Sequence, residues 1–171
     1  MENVEIILSN VKKEYLDLII KQEFKLTSDK VISSHFFDKV NKKDIEYTDA
    51  LNLSDYYSTP NTGNIFVKEV SVGDRLINVM IIMSFDEEFG DIVLNFEEEQ
   101  FICSSEDELK QKLRKIINKL TEVFERYEVE EIRLGFEPAT DDDMSLLIID
   151  KKGISVISDF DCKLTNSIRS L

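Results

Sequence analysis

Apolar side chains at Leu109, Leu113, Ile116, Ile117, Leu120, Phe124 and Tyr127 recur with the 3.6-residue period of an α-helix. Lys110, Lys112, Arg114, Lys119 and Glu122 occupy the other face. Ser105-Glu106-Asp107-Glu108 reads as a capping box at its start, and the acidic first turn suits the helix dipole. Glu108 to Lys112 and Glu122 to Arg126 are i,i+4 pairs in the favourable order. Residues 104–127 are therefore predicted as a long core helix around which the chain is organised.

Strand patterns flank this helix. Residues 65–71 and 76–85 bracket Gly73-Asp74, a hairpin signal. The second run is apolar at nearly every position, which predicts a central strand covered on both faces. In residues 91–97, Ile92, Leu94 and Phe96 alternate with Val93, Asn95 and Glu97. After the helix, residues 131–136 alternate again, and 144–149 and 154–157 read as two further strands. Gly135 falls inside a strand pattern and marks a bulge. The tail, 159–171, has no single reading.

The N-terminal part is less regular. Residues 4–8 form a short β-type run. Val11, Tyr15, Leu18 and Ile19 then predict a helix over about 11–23. Residues 24–26 suit a brief strand. Ser28-Asp29 can cap a second helix with Ile32, Phe36 and Val40 inward, although the β-branched pair Val31-Ile32 suits a strand nearly as well. Residues 41–63 lack sustained periodicity and end in the turn cluster 58–63, so a long loop with at most one short element is expected. Without βαβ alternation, the fold class is α+β. The expected architecture is a mostly antiparallel sheet of about six strands packed on a long central helix, with an N-terminal β-α lead-in. Residues 1–171 form a single domain, with 1–64 as lead-in and loop and 65–171 as a βββ-α-βββ core.

Composition narrows the function. With 171 residues and 42% hydrophobic content, the chain can bury a sizeable core. A net charge of −14 opposes any extended phosphate-binding surface, so neither nucleic acid nor an anionic membrane is expected as partner. Cys103 and Cys162 form no CxxC, which argues against a disulfide framework or a zinc site. No signal peptide and no membrane-length apolar run is visible, and a cytoplasmic location is expected.

Candidate chemistry is sparse. His35, beside Phe36-Phe37, is the single histidine, and a core or half-buried role accounts for it. The five glycines form neither GxGxxG nor GxxxxGK[ST]. Asp141-Asp142-Asp143 and the pair Asp159 and Asp161 could ligate a divalent cation through oxygen. The first run lacks EF-hand spacing and reads as a solvated loop, and the second pattern is too short to be specific. A metal nuclease motif ending in Asp150-Lys151-Lys152 would also need a basic groove, which the charge denies it. No cofactor, no metal and no catalytic residue is assigned.

Charge distribution carries more. From Leu76 through Leu109 there are ten acids and no Lys or Arg, whereas the first 64 residues hold 11 acids and 8 Lys. The acids fall at element ends: Asp86-Glu87-Glu88 at a turn, Asp91 in the next strand, Glu97-Glu98-Glu99 leaving it, and Glu106-Asp107-Glu108 opening the helix. Charged edges also protect a sheet from pairing with another. Several such clusters on one domain point to an electrostatic partner site. Tyr56, Tyr57 and Phe89, in loops beside acids, are candidate anchors, against the ordinary packing of loop aromatics.

A small, acidic α+β chain with the runs Asp86-Glu87-Glu88, Glu97-Glu98-Glu99 and Asp141-Asp142-Asp143 and no catalytic set resembles the immunity proteins of bacterial polymorphic toxin systems. It lacks the tryptophan that some of those families carry. The resemblance implies a non-enzymatic inhibitor that binds a cognate, basic protein toxin one to one and occludes its active site or substrate channel. A monomer or small homo-oligomer is expected. The expected partner-binding residues are Asp86, Glu87, Glu88, Phe89, Asp91, Glu97, Glu98 and Glu99, with Tyr56 and Tyr57. The rival readings are a phage-type DNA mimic, a carboxylate-dependent metal enzyme and a structural adaptor.

Overall fold

A computed structural model describes residues 3–156 and 163–171. Its centre is one antiparallel sheet of nine strands. In chain order these are β1 (Asn3–Lys12), β2 (Val31–Asp38), β3 (Lys43–Ile45), β4 (Asn61–Val72), β5 (Asp74–Phe85), β6 (Phe89–Glu97), β7 (Glu131–Phe136), β8 (Ser145–Asp150) and β9 (Gly153–Val156). Across the sheet the order is β3-β2-β4-β5-β6-β1-β7-β8-β9, and every pairing is antiparallel. The helices are α1 (Leu53–Tyr56), α2 (Glu106–Arg126) and α3 (Lys163–Arg169). The fold is thus α+β with a large antiparallel sheet.

The expected helix is α2, and its start is capped as the sequence predicts. Ser105 Oγ accepts from Glu108 N–H at 3.2 Å, and the Glu108 carboxylate accepts from Ser104 N–H at 3.0 Å. Leu109, Leu113, Ile116, Ile117 and Leu120 are buried against the sheet. The β4–β5 hairpin turns at Gly73, whose φ of +73° favours glycine. A Cβ there would lie 2.0 Å from the Lys115 carbonyl oxygen, so the turn also lets α2 pass close above. A register shift in the β7–β8 pairing falls at Leu134/Gly135, where a bulge is expected.

Nine strands, not six, is the main correction. The N-terminal 64 residues supply β1, β2, β3 and the start of β4. β1 lies in the middle of the sheet, between β6 and β7. It runs through a bulge between Leu8 and Val11, where Asn10 has φ +57°, and ends at Lys12. The predicted 11–23 helix is therefore reduced to a 3-10 turn (Lys13–Tyr15) and a π-helical stretch (Leu18–Glu23). Residues 24–26 are not a strand. The predicted second helix is a 3-10 turn (Ser28–Lys30) followed by β2. Phe36 faces the core, while Ile32, at the register shift between Val31 and Ser33, and Val40, beyond the end of β2, are exposed. The 41–63 loop holds both β3 and α1.

β5 is central in the sheet but not covered on both faces. Leu76, Val79, Ile81 and Met83 are buried on the helix side, whereas Ile77 and Ile82 on the other side are exposed. The core sits on one face, between the sheet, α2 and the lead-in turns. Glu23 ties these together. Its carboxylate accepts from Arg126 at 2.6 Å, from the Tyr127 hydroxyl at 2.6 Å and from Lys119. Burial acts to raise the Glu23 pKa, but these three donors outweigh it and hold it down at about 2. Among the described residues, no helix is long and apolar enough to cross a membrane.

Candidate partner-binding surface

Antiparallel pairing decides which expected site residues meet. β6 separates Asp86-Glu87-Glu88 from Glu97-Glu98-Glu99 by its whole length of nine residues, so the two runs stand roughly 25–30 Å apart. They do not converge on one patch. The sheet has two ends, and each run belongs to a different one.

At the first end, Glu97 pairs with Asn3 of β1, and the Asn3 amide donates to Glu137 at 2.8 Å. Glu97-Glu98-Glu99, Glu137 and the acidic 141–143 loop are therefore neighbours, with Glu106-Asp107-Glu108 starting α2. Asp141, Asp142 and Asp143 are all exposed, and Asp142 pairs with Arg133 at 3.0 Å. No group of three or more His, Cys, Asp or Glu poised for a metal ion occurs among the described residues. Asp159 and Asp161 lie outside the described residues. The Asp150-Lys151-Lys152 turn lies at the opposite end of the sheet, between β8 and β9.

At the second end, the β2–β3 hairpin, α1 and the β5–β6 turn come together. His35 pairs with Asn64 and Asn61 with Phe85, which brings Asp38, Pro60 and Asp86 to the same side of the sheet. Asp86 is a turn former: its carboxylate accepts from Phe89 N–H at 2.7 Å and Glu88 N–H at 2.8 Å, and those bonds hold its pKa below the usual range. Asp91 likewise serves the fold, accepting from Asn10 N–H at 2.9 Å across the β1 bulge. Glu87 and Glu88 are exposed, and Phe89 is half-buried beside Lys12, Lys13 and Glu14.

Tyr57 is not a surface anchor. It is fully buried, its hydroxyl donates to the Met83 carbonyl at 3.0 Å, and burial pushes its pKa well up. Its ring packs on Phe85 and edge-on against Tyr56, which in turn meets Phe36 edge-on. A Cβ at position 63 would fall 2.5 Å from the Phe36 ring, so Gly63 makes room for this cluster. Tyr56 is half-buried. Its hydroxyl accepts from Phe37 N–H at 2.9 Å and from the Asn61 amide at 2.8 Å, and donates to the Phe37 carbonyl at 3.2 Å. It thereby fastens α1 to the hairpin.

Between hairpin and helix lies an open pocket of about 390 Å³, lined among others by Phe37, Val40, Ile45, Leu51, Asp55 and Tyr56. Val40 is 86% exposed and Phe37 40% exposed at its rim. Part-buried polar bonds fasten its α1 side to the lead-in. Asp17 accepts from the N–H groups of Leu53 and Ser54, and Lys21 donates to the Leu51 carbonyl at 2.5 Å. Asn52 caps α1 by accepting from Asp55 N–H at 3.1 Å. Sequence reasoning missed Phe37 and Val40 as surface groups. Adjacent aromatics at Phe36-Phe37 were the available signal, since a strand points one inward and one outward. His35 is not a core residue: its side chain is 63% exposed, with Nδ1 3.6 Å from Asp44.

Comparisons with known proteins bear on the family and the fold. A family model described as PABL017 Cdi1I immunity protein matches residues 2–152. Among solved structures, the chain is similar to one in the complex of the toxic C-terminal tip of CdiA from Pseudomonas aeruginosa with its immune protein. Identity is 18%, coverage is 86% of this chain and 94% of that one, and the TM-score is 0.64. It also shares a fold with the Pseudomonas aeruginosa T6SS protein PA0821, at 9% identity, 79% and 41% coverage and a TM-score of 0.50. No curated protein matches the chain.

Proposed function

The chain belongs to the PABL017 Cdi1I immunity protein family, and from that membership we propose that it binds a cognate protein toxin one to one through the hairpin end of its sheet. Immunity proteins are non-enzymatic inhibitors, and toxin neutralisation is the role this membership assigns. The finer reading is that the bound chain covers the toxin's active site or substrate channel. The observation that carries it is the pocket where exposed Phe37 and Val40, half-buried Tyr56 and the carboxylates of Asp38 and Asp55 meet, with Phe89, Glu87 and Glu88 around a second hollow at the same end of the sheet. Interface centres favour aromatic groups in pockets, with charge at the rim. The acidity of the chain suits a basic toxin surface and speeds encounter.

Mixing the purified chain with the toxin domain encoded by the neighbouring gene tests this. The expected result is a stable 1:1 complex by light scattering and loss of the toxin's activity in proportion to the chain added. The double variant Phe37→Asp, Val40→Asp should fold and fail to protect. Full protection by that variant would place the interface elsewhere.

A further inference from the structure

The pocket at the hairpin end combines two lining chemistries that seldom serve the same guest. Ile45, Leu51 and Tyr56 make an apolar, partly aromatic interior, while Asp38 and Asp55 bring carboxylates to it. The Tyr56 hydroxyl is already committed to Phe37 and Asn61. Lys39, the cation among the lining residues, is turned to the Pro60 carbonyl. An apolar guest would take the exposed Asp55 carboxylate out of water with nothing to offset the loss. An anionic guest would be repelled. A long cationic side chain meets both demands, because its methylene stem suits the apolar wall and its head suits carboxylates and an aromatic ring. At about 390 Å³ the cavity has room for one such side chain and some water.

We infer that this pocket receives one arginine or lysine side chain of the partner protein, as the anchor of the interface. The inference rests on the reading that the hairpin end binds the toxin. The net charge of −14 supports a basic partner. The Asp38 carboxylate brings its negative charge to the rim in a fixed position. It accepts from Val40 N–H and Asn41 N–H at 2.9 Å each, and from the Asn41 amide at 2.6 Å, which fixes its place at the hairpin tip. Asp55 is exposed in the first turn of α1.

Two measurements test the pocket separately from the interface. In the first, N-acetyl-arginine amide and N-acetyl-norleucine amide are titrated into the isotope-labelled chain and amide shifts are followed. The expected result is saturable shifts at residues 37–40, 45 and 50–56 with the arginine probe alone, with affinity on the order of millimolar for so small a ligand. Equal shifts with the norleucine probe, or none with arginine, overturn the inference. In the second, Asp55→Asn is measured against the neighbouring-gene toxin domain. A tenfold or greater rise in Kd, carried by the off-rate, with an unchanged melting curve supports the pocket. Unchanged affinity overturns it while leaving the toxin-binding reading intact. Absence of any complex with the unaltered chain overturns that reading instead, and the probe titration still decides what the pocket accepts.

Discussion

The two ends of the sheet carry carboxylates in different company. At the acidic end, Glu97, Glu99, Glu137 and the 141–143 loop are solvent-exposed, and Ile102 is a large apolar side chain offered to water at 76% exposure. At the hairpin end, acids stand beside Phe37, Val40, Tyr56 and Phe89 and around a pocket. Exposed charge by itself is solvated, screened beyond about 8–10 Å at physiological salt, and worth little once a complex has formed. Apolar and aromatic groups in a concave site set residence time. Charge therefore marks where a partner is drawn, and shape marks where it stays.

The ends also differ in how they are held. At the hairpin end Asp17 and Lys21 bond α1 to the lead-in, and farther along the lead-in a relay of polar bonds at Glu23 joins it to α2. Glu23→Ala should have the largest effect on the molecule. It removes the shared acceptor of Lys119, Arg126 and Tyr127, and breaking a buried pair from one side costs about 3–5 kcal/mol. Arg126 is partly solvated, which places the effect toward the lower figure. Urea melts would measure it, and a loss under about half a kilocalorie, the scale of an ordinary surface change, would show that the relay does not support the fold.

The same carboxyl predicts an acid limb to stability. Its folded pKa of about 2 lies below the ordinary 4.5. Its stabilisation is complete above the ordinary value and is lost as pH falls from there toward the folded one, for a total of about 3 kcal/mol. Melts of the unaltered chain and of Glu23→Gln, run from neutral pH down toward the folded pKa, would show the two curves converging at low pH. Parallel curves would assign the acid limb to other groups.

A smaller effect is expected on binding. Phe37→Ala with Val40→Ala should weaken toxin binding by about 2 kcal/mol, roughly thirtyfold, as truncating anchors at an interface centre does. Fold stability should barely change, because both side chains are exposed. Ile102→Ala at the other end is the matching control. If it weakens binding as much, the contrast between the ends is reversed.

These distinctions were only partly visible in the sequence. α2 was legible because seven apolar positions keep a 3.6 period and Ser105 sits three residues before Glu108. The β4–β5 hairpin was legible from Gly73. Val11, Tyr15, Leu18 and Ile19 mimicked a longer helix because the bulge at Asn10 shifts strand parity and turns Val11 inward. Ile32, Phe36 and Val40 are four apart by coincidence, with one buried and two exposed. Tyr56 and Tyr57 are chemically alike and adjacent, yet packing against Phe85 takes only Tyr57 fully inside. The acidic runs themselves were plain. Their separation follows from the length of β6, which the alternating 91–97 pattern already held; what no local pattern encodes is that β1 inserts between β6 and β7 and sets Glu137 beside Glu97.

The smallest predicted effect is the one that compares the ends directly. Glu87→Lys with Glu88→Lys changes the hairpin end, and Glu97→Lys with Glu98→Lys changes the acidic end, each pair shifting net charge by the same amount. Glu87, Glu88 and Glu97 are exposed and Glu98 is half-buried, so reversal should leave the fold intact. Equal slowing would be expected if only the overall field guided encounter, since both pairs alter it alike. With the partner docking at the hairpin end, the Glu87 and Glu88 pair lies within a Debye length of the incoming surface and the other pair roughly 25–30 Å away. The first double variant should therefore slow association several-fold, and the second much less. The difference should shrink as salt rises, while both off-rates change little because rim charges act mainly on encounter. Surface-plasmon kinetics at two salt concentrations would read this out. A larger on-rate loss from the Glu97 and Glu98 pair would move the docking surface to the acidic end, where Ile102 would become the anchor to test.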